Sequence, residues 1–266
     1  MLRMELSERA RRYAIENALP HSLSYGSDPI VCFEPFGDCL HGNFHPASYK
    51  AIRSRRDWSA RLSKVHTTAR RCLPSAEIGK RSELDSCMSS DALLMNVFCH
   101  PRVSRSAVVL RRLGIETGCE LRFGVRARVP LLRERVDATE VDMKAGDLLL
   151  EAKLTETDFQ TAAKSKVLRY RDFREVFNEG ALPQTSTHYC GYQLIRNVLG
   201  ARDQGGSFCV LLDGRRSDLL ESWFAVMSCV KPVALRTACK LLTWQELASL
   251  LPRTLQEFLS EKYGIC

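Results

Sequence analysis

The sequence predicts an α/β (α+β) fold, a mixed central β-sheet flanked by helices, on three observations. Apolar residues recur at helical spacing through the first part of the chain. The period then changes to two at residues 119–129, and an apolar hairpin pattern follows directly. Helices and strands alternate from there to the C-terminus. At 266 residues, 45% hydrophobic and 26% charged, the chain can bury a substantial core. It contains no apolar run of about 18 residues, so no membrane span is expected. The opening "MLRMELSERARRYAIENALP" lacks the apolar stretch of a secretory signal, and a cytoplasmic location is expected.

The elements follow in order. Residues 4–18 read as a helix that ends before Leu19-Pro20, and the Gly- and Pro-rich stretch to Pro46 reads as irregular. In "PASYKAIRSRRDWSARLSKVHTTARRC", Tyr49, Ile52, Trp58 and Leu62 recur at helical spacing among cations. Such aromatics either stack on bases or dock the helix on a core. "SSDALLMNVFCHP" predicts a buried helix, capped by Ser89 or Ser90 and stopped by Pro101, and "SRSAVVLRRLG" a shorter one ending at Gly114. In "CELRFGVRARV", Leu121, Phe123, Val125, Ala127 and Val129 alternate with Glu120, Arg122, Gly124, Arg126 and Arg128, a half-buried strand with a cationic outer face. After the hairpin, a long amphipathic helix is expected near 158–178, then a helix over "HYCGYQLIRNVLGA". A strand at "SFCVLLDG", a helix near 217–228, a strand at "KLL" and a closing helix opened by Thr243 to Glu246 complete the chain.

Net charge is +8, and the excess is uneven. Between Ala47 and Ser82 stand Lys50, Arg53, Arg55, Arg56, Arg61, Lys64, Arg70, Arg71, Lys80 and Arg81, opposed only by Asp57 and Glu77. Such a field suits a polyanion such as nucleic acid, or is a solvated face. The eleven cysteines are scattered, and without a secretion signal they read as reduced thiols, many of them buried. One cluster, Cys32, Cys39, His41 and His45, has the ligand types of a tetrahedral Zn²⁺ site, but the six residues between its cysteines match no zinc finger, and a structural loop is the favoured reading. His66, His100 and His188 stand alone, and no Gly-rich phosphate loop is present.

The hairpin "TEVDMKAGDLLLEAKLTE" carries the chemistry. A two-residue turn at Ala145-Gly146 would set residue 142 opposite 149 and residue 140 opposite 151. Glu140, Asp142, Leu149, Glu151 and Lys153 then share one face, while Val141, Met143, Leu148, Leu150, Ala152 and Leu154 share the other. Carboxylates gathered on one face repel one another until a cation arrives, and hard oxygen ligands suit Mg²⁺ or Mn²⁺. Such an ion polarises a phosphoryl oxygen and activates a bound water. A lysine beside it can position or help deprotonate that water and offset transition-state charge. This is a hydrolytic site for phosphodiesters. Pairing Asp137 with Asp142-Met143-Lys144 instead leaves no clear turn.

Asp142 followed by Glu151-Ala152-Lys153 resembles the signature of the PD-(D/E)XK nuclease superfamily, although Val141 stands where the family name has proline. The resemblance implies Asp142 and Glu151 as metal ligands, the Ala152 carbonyl as a third, and Lys153 as the catalytic lysine. It also implies a helical Glu, for which Glu83 is the candidate and Glu120 the alternative, and a helical Gln after the motif, matched by Gln193 in "YQLIRN". Glu140 is a third acid in reach whose role the motif leaves open. "SSDALLMNVF" is similar to a Ser-Ser-x-Ala-Leu…Asn-x-Phe stretch of bacterial restriction-endonuclease-like proteins. The expected division is a basic, partly helical region at 1–82 and a restriction-endonuclease-like nuclease core at 83–266.

The expected function is a metal-dependent nuclease (hydrolase) acting on nucleic acid, double-stranded DNA first. Arg122, Arg126, Arg128 and, from the basic segment, Arg55 and Arg56 would contact phosphates. A homodimer is compatible with this reading. The alternative is a non-catalytic nucleic-acid-binding or regulatory protein, with zinc at the Cys/His cluster.

Overall fold

The computed structural model describes residues 2–24, 28–37, 39–65, 67–68, 71–72 and 82–266. Of the basic segment, Arg70, Lys80 and Arg81 lie outside the described residues, as do His66 and Glu77. The chain divides into two units, Met1–Arg112 with Trp244–Cys266, and Leu113–Thr243. The expected division at residues 82 and 83 rests on charge and motif extent, and it stays a proposal about function.

In the second unit the apolar strands assemble into one mixed five-stranded sheet. Its order is Cys239–Thr243, Ser207–Leu212, Leu148–Ala152, Glu140–Ala145 and Leu121–Arg126. The first three strands are parallel neighbours, and the last three are joined by antiparallel pairing. The expected edge strand stops at Arg126. Arg128 takes a left-handed backbone (φ +55°), which turns Val129–Pro130 away to pair with Val136–Asp137.

The hairpin differs in one respect from its expected form. The ladder pairs Met143 with Leu150, Lys144 with Leu149 and Ala145 with Leu148, so the turn is Gly146-Asp147 rather than Ala145-Gly146. Gly146 supplies the left-handed backbone (φ +55°) that a two-residue hairpin loop favours at its first position. The pairing is therefore displaced by two residues. A displacement of two preserves the partition of faces, where a displacement of one would have inverted it.

Both faces of the hairpin are covered. Leu149 belongs to a core with Phe208, Val210, Leu194, Ile195 and Val198, the last three from the helix Tyr192–Asp203. Burial of a leucine of this size stabilises by about 2 kcal/mol. Gly200 lets that helix lie close, since a Cβ there would meet Leu149 Cδ1 at 3.1 Å and Val129 Cγ2 at 3.3 Å.

The expected long helix at 158–178 is absent. The strand Thr161–Ala163 pairs with His188–Cys190, and only the single turns Lys164–Val167 and Phe173–Val176 are helical. Between those turns the backbone bonds elsewhere: Leu132 N donates to Arg169 O, and Arg171 N to Pro130 O. Val167, Tyr170, Phe173 and Val176 keep helical spacing because successive short turns face one core. The helix expected over "HYCGYQLIRNVLGA" starts only at Tyr192, after Gly191 at φ +72°. The helix Val233–Ala238 was not anticipated, and the closing helix is two, Trp244–Ala248 and Arg253–Tyr263, separated at Pro252.

In the first unit the helix Leu2–Glu16 is as expected, and the stretch to Pro46 contains two small antiparallel strand pairs. The basic segment forms the helix Pro46–Ser54 and a four-residue turn, Arg56–Ser59. Tyr49, Ile52 and Trp58 are buried, so these aromatics serve a core rather than stacking on bases. The helix Ser90–Phe98 is capped by Ser89, which accepts from Ala92 N. Its Asn96, fully buried, donates to Asn43 O and accepts from His45 N. Nζ of Lys262, also buried, donates to Asn43 O (2.9 Å) and Asn43 Oδ1 and lies against the rings of Phe33, Phe258, Tyr263 and Tyr13.

His100 is 4% exposed and lies 5.1 Å, ring to ring, from His45. Each uses Nδ1 as an acceptor, from Arg102 N and Ala47 N respectively. Burial, aided by His45 and Arg102, pushes His100 down to about 4, and burial lowers His45 as well. An unfolded histidine titrates near ~6.5, so below that pH the unfolded chain takes up protons that the folded chain refuses. This stabilisation is complete above ~6.5 and is lost as pH falls toward 4. The melting temperature of wild type is expected to fall across that window, and His100→Asn to remove part of the slope. Parallel melting curves for the two proteins would refute this.

Candidate active site

The site grows from the point where two strands part. The hairpin ladder ends at Met143 and Leu150, and beyond it the half-buried Asp142 turns its carboxylate onto the neighbouring strand, where Oδ2 accepts from Ala152 N at 2.7 Å. Continued, the register sets Asp142 opposite Glu151. On its other side the edge strand pairs Val141 with Val125 and Met143 with Phe123, which places Gly124 beside Asp142.

Glu151 is 2% exposed, and a carboxylate at that depth requires compensation. It receives donors at both oxygens. Oε1 accepts from Lys153 Nζ at 3.0 Å and from Gln193 Nε2 at 2.7 Å, and Oε2 accepts from Asn197 Nδ2 at 3.0 Å, with Arg196 Nη2 at 3.8 Å. Lys153 is itself buried. Burial alone would drive its ammonium toward neutrality, but the carboxylates of Glu151, Glu156 and Asp142 outweigh this and hold its pKa above the ordinary value. In this arrangement Lys153 is a proton donor.

The helix that carries Gln193, Arg196 and Asn197 is itself anchored. Tyr192 OH donates to Asp137 Oδ2 at 3.0 Å, Tyr170 OH donates to the same oxygen, and Thr139 N donates to Oδ1 at 2.8 Å. Burial works against the charged form of Asp137, yet these hydrogen bonds bring it down to about 2. Asp137 is thus engaged in structure, and Lys144 donates to Gln204 Oε1, so the alternative pairing of Asp137 with Asp142-Met143-Lys144 is not assembled.

Asp142, Glu151, Ala152, Lys153 and Gln193 are therefore brought together. Glu140 is exposed and forms no group of three acids with them, and Arg196 donates to its backbone oxygen. Glu83 belongs to the first unit and pairs with Lys64 at 3.0 Å, while Glu120 is exposed ahead of the edge strand. Arg122 and Arg126 are exposed on that strand, opposite Lys144 and Glu140, and Arg128 is exposed beyond it. Arg55 pairs with Asp57 and stacks on Trp58, and Arg56 is exposed. The reading of the hairpin missed Arg196, Asn197 and Glu156. The first two stand three and four residues after Gln193, the spacing of one helix face, within the quoted "YQLIRN".

The Cys32, Cys39, His41 and His45 side chains do not assemble as zinc ligands. Among the described residues no three His, Cys, Asp or Glu side chains gather to hold a metal ion. Cys39 is exposed and Cys32 buried; His41 spends Nε2 on Asp85 and Nδ1 on Asn43 N, and His45 caps a helix through Nδ1. The described cysteines are free thiols, and no described helix is long and apolar enough to cross a membrane.

A mixed five-stranded sheet, with two acids and a lysine on its central hairpin beneath one helix, defines a restriction-endonuclease-like protein. A family model described as "restriction endonuclease associating with ARP" matches residues 19–264, and the chain belongs to that family. No curated protein and no solved structure gives a significant match.

Asn197 has no exposed surface, and Arg196 Nε donates to its Oδ1 at 3.0 Å. Asn197→Ala would leave a buried carboxylate oxygen short of a donor, at a cost on the order of 2 kcal/mol. Thermal unfolding should therefore show a melting temperature lowered by several degrees. A variant that melts with wild type would show that Oε2 is satisfied without Asn197.

Proposed function

We propose that this chain is a divalent-metal-dependent nuclease of the PD-(D/E)XK kind that hydrolyses phosphodiester bonds in double-stranded DNA. The observation that carries this reading is the buried Glu151 carboxylate, which accepts from both Lys153 and Gln193 while Asp142 accepts from the adjoining Ala152 N. The donor set fits a hard cation. Asp142 and Glu151 supply carboxylate oxygens, Ala152 follows Glu151 directly and donates its N–H to Asp142, and Gln193 Oε1 is buried without a hydrogen-bond partner. When bound, Mg²⁺ or Mn²⁺ supplies Lewis-acid polarisation of a phosphoryl oxygen and a water of lowered pKa.

The chain's own residues do the rest. Asp142, Glu151 and the Ala152 carbonyl would hold the ion, and Glu140 adds negative charge at the exposed rim. Gln193 and Asn197 fix the orientation of Glu151. Lys153 Nζ donates to the attacking water and to a non-bridging phosphate oxygen, where charge develops. Arg122, Arg126 and Arg128 neutralise backbone phosphates along the sheet edge, Arg56 of the basic segment adds a further phosphate contact, and Arg55 joins it only by exchanging Asp57 for a phosphate. The family's description names an association with ARP, and we propose that this chain acts with such a partner.

Purified full-length protein should cleave plasmid, linear or branched DNA with Mg²⁺ or Mn²⁺ and not with EDTA. Lys153→Ala and Asp142→Asn should each lose about a hundredfold or more in rate while retaining DNA binding. Failure to cleave any of these substrates, or RNA, under either metal would favour a non-catalytic nucleic-acid-binding protein.

A further inference from the structure

We propose that Lys153 is the resident counter-ion of Glu151 and competes with a divalent cation for it, so that metal loading and release of the lysine toward the phosphate are one event. This rests on the nuclease reading above and adds a mechanism for arming that site. An ionised carboxylate offers about four lone-pair positions, and hydrogen bonds from Lys153, Gln193 and Asn197 already fill three of them on Glu151. Both positions on Oε1 are taken, by Lys153 and Gln193, and the one left on Oε2 faces the Arg196 guanidinium at 3.8 Å, so a cation that shares Oε1 has to take a place that a donor now holds.

The donors differ in their freedom to leave. Gln193 and Asn197 project from a helix whose first residue, Tyr192, is tied to Asp137, and whose body packs against Leu149 through Gly200. Both are also neutral, so they do not repel an incoming cation. Lys153 carries a full positive charge on a flexible stem. Its ammonium at 3.0 Å from Oε1 sits on the Glu151 ligand face, where a divalent ion would meet like charge at short range. It also has somewhere to go: the Glu156 and Asp142 carboxylates attract it, and the ring of Phe159 lies 5.8 Å away.

The consequence runs against the usual expectation for a residue of an active site. Removing the lysine's charge should abolish cleavage and at the same time tighten metal binding. A lysine needed only to keep the site folded would weaken both.

The test is Mn²⁺ binding to the full chain, measured by the electron paramagnetic resonance signal of free Mn²⁺. Lys153→Met and Lys153→Gln should bind Mn²⁺ about tenfold or more tightly than wild type, since a like charge has been removed from the site. Lys153→Arg should bind as wild type does, and Asp142→Asn should bind more weakly. The glutamine variant keeps a neutral donor toward Oε1 and decides the matter if the methionine variant does not fold. Folded Lys153→Gln that binds Mn²⁺ no more tightly than wild type, with binding still dependent on Asp142, would overturn the counter-ion proposal and leave the nuclease reading standing. Absence of Mn²⁺ binding in wild type, or binding indifferent to Asp142→Asn, would overturn both.

Discussion

The Leu113–Thr243 unit is organised around one buried carboxylate. Glu151 lies on a central strand with neighbours on both sides, where an unpaired charge would cost several kcal/mol. It is compensated from its own strand by Lys153 and from the facing helix by Gln193, Asn197 and Arg196. That requirement couples elements that hydrophobic packing alone would leave free to adjust. Turning the helix would withdraw two or three donors at once, and shifting the hairpin by one residue would carry Glu151 to the other face. Gly191 and Gly200 serve the same end, one starting the helix from a left-handed residue and the other bringing it close to Leu149.

The other unit buries a basic group, and there burial pushes the Lys262 pKa well below the usual lysine value. Lys262 is buried among aromatic rings and meets backbone and side-chain oxygens of Asn43, while Asn96 ties the same residue to the helix Ser90–Phe98. This gives the stretch "SSDALLMNVF" a structural meaning. Ser89 caps the helix, Asp91 receives Arg61 and Lys64, and Asn96 joins the helix to the stretch from Asn43 to His45. Cations of the basic segment are spent in the same way, with Arg55 on Asp57, Arg61 on Asp91 and Lys64 on Glu83. The local field is therefore weaker than the bare sequence suggests.

Legibility followed the range of the interactions involved. The sheet strands and the helices at Leu2–Glu16, Ser90–Phe98 and Ser217–Met227 were readable because periodicity and capping are local. The helix at 158–178 was misread because one apolar spacing serves both a continuous helix and two separate turns facing one core; backbone bonds from Leu132 to Arg169 and from Arg171 to Pro130 decide between them. The turn was misplaced because Ala145-Gly146 and Gly146-Asp147 are equally plausible by composition, and the choice depends on where Gly146 adopts positive φ. Within the site, Asp142, Glu151, Lys153 and Gln193 were legible as a pattern. Arg196 and Asn197 were not, because a helical face becomes meaningful only once its neighbour is known.

The sequence by itself determined the mixed α/β order of elements and the division of the hairpin into an apolar face and a face bearing two acids and a lysine. The first follows from the changes of apolar period along the chain, and the second from the alternation of side chains along a strand, which no later event can alter. Only the tertiary structure decided that the charged face lies under a helix, that Glu151 is buried while Glu140 is exposed, and which donors meet which oxygen. Burial and pairing are properties of the space between elements, and that space exists only after the helix has closed over the sheet.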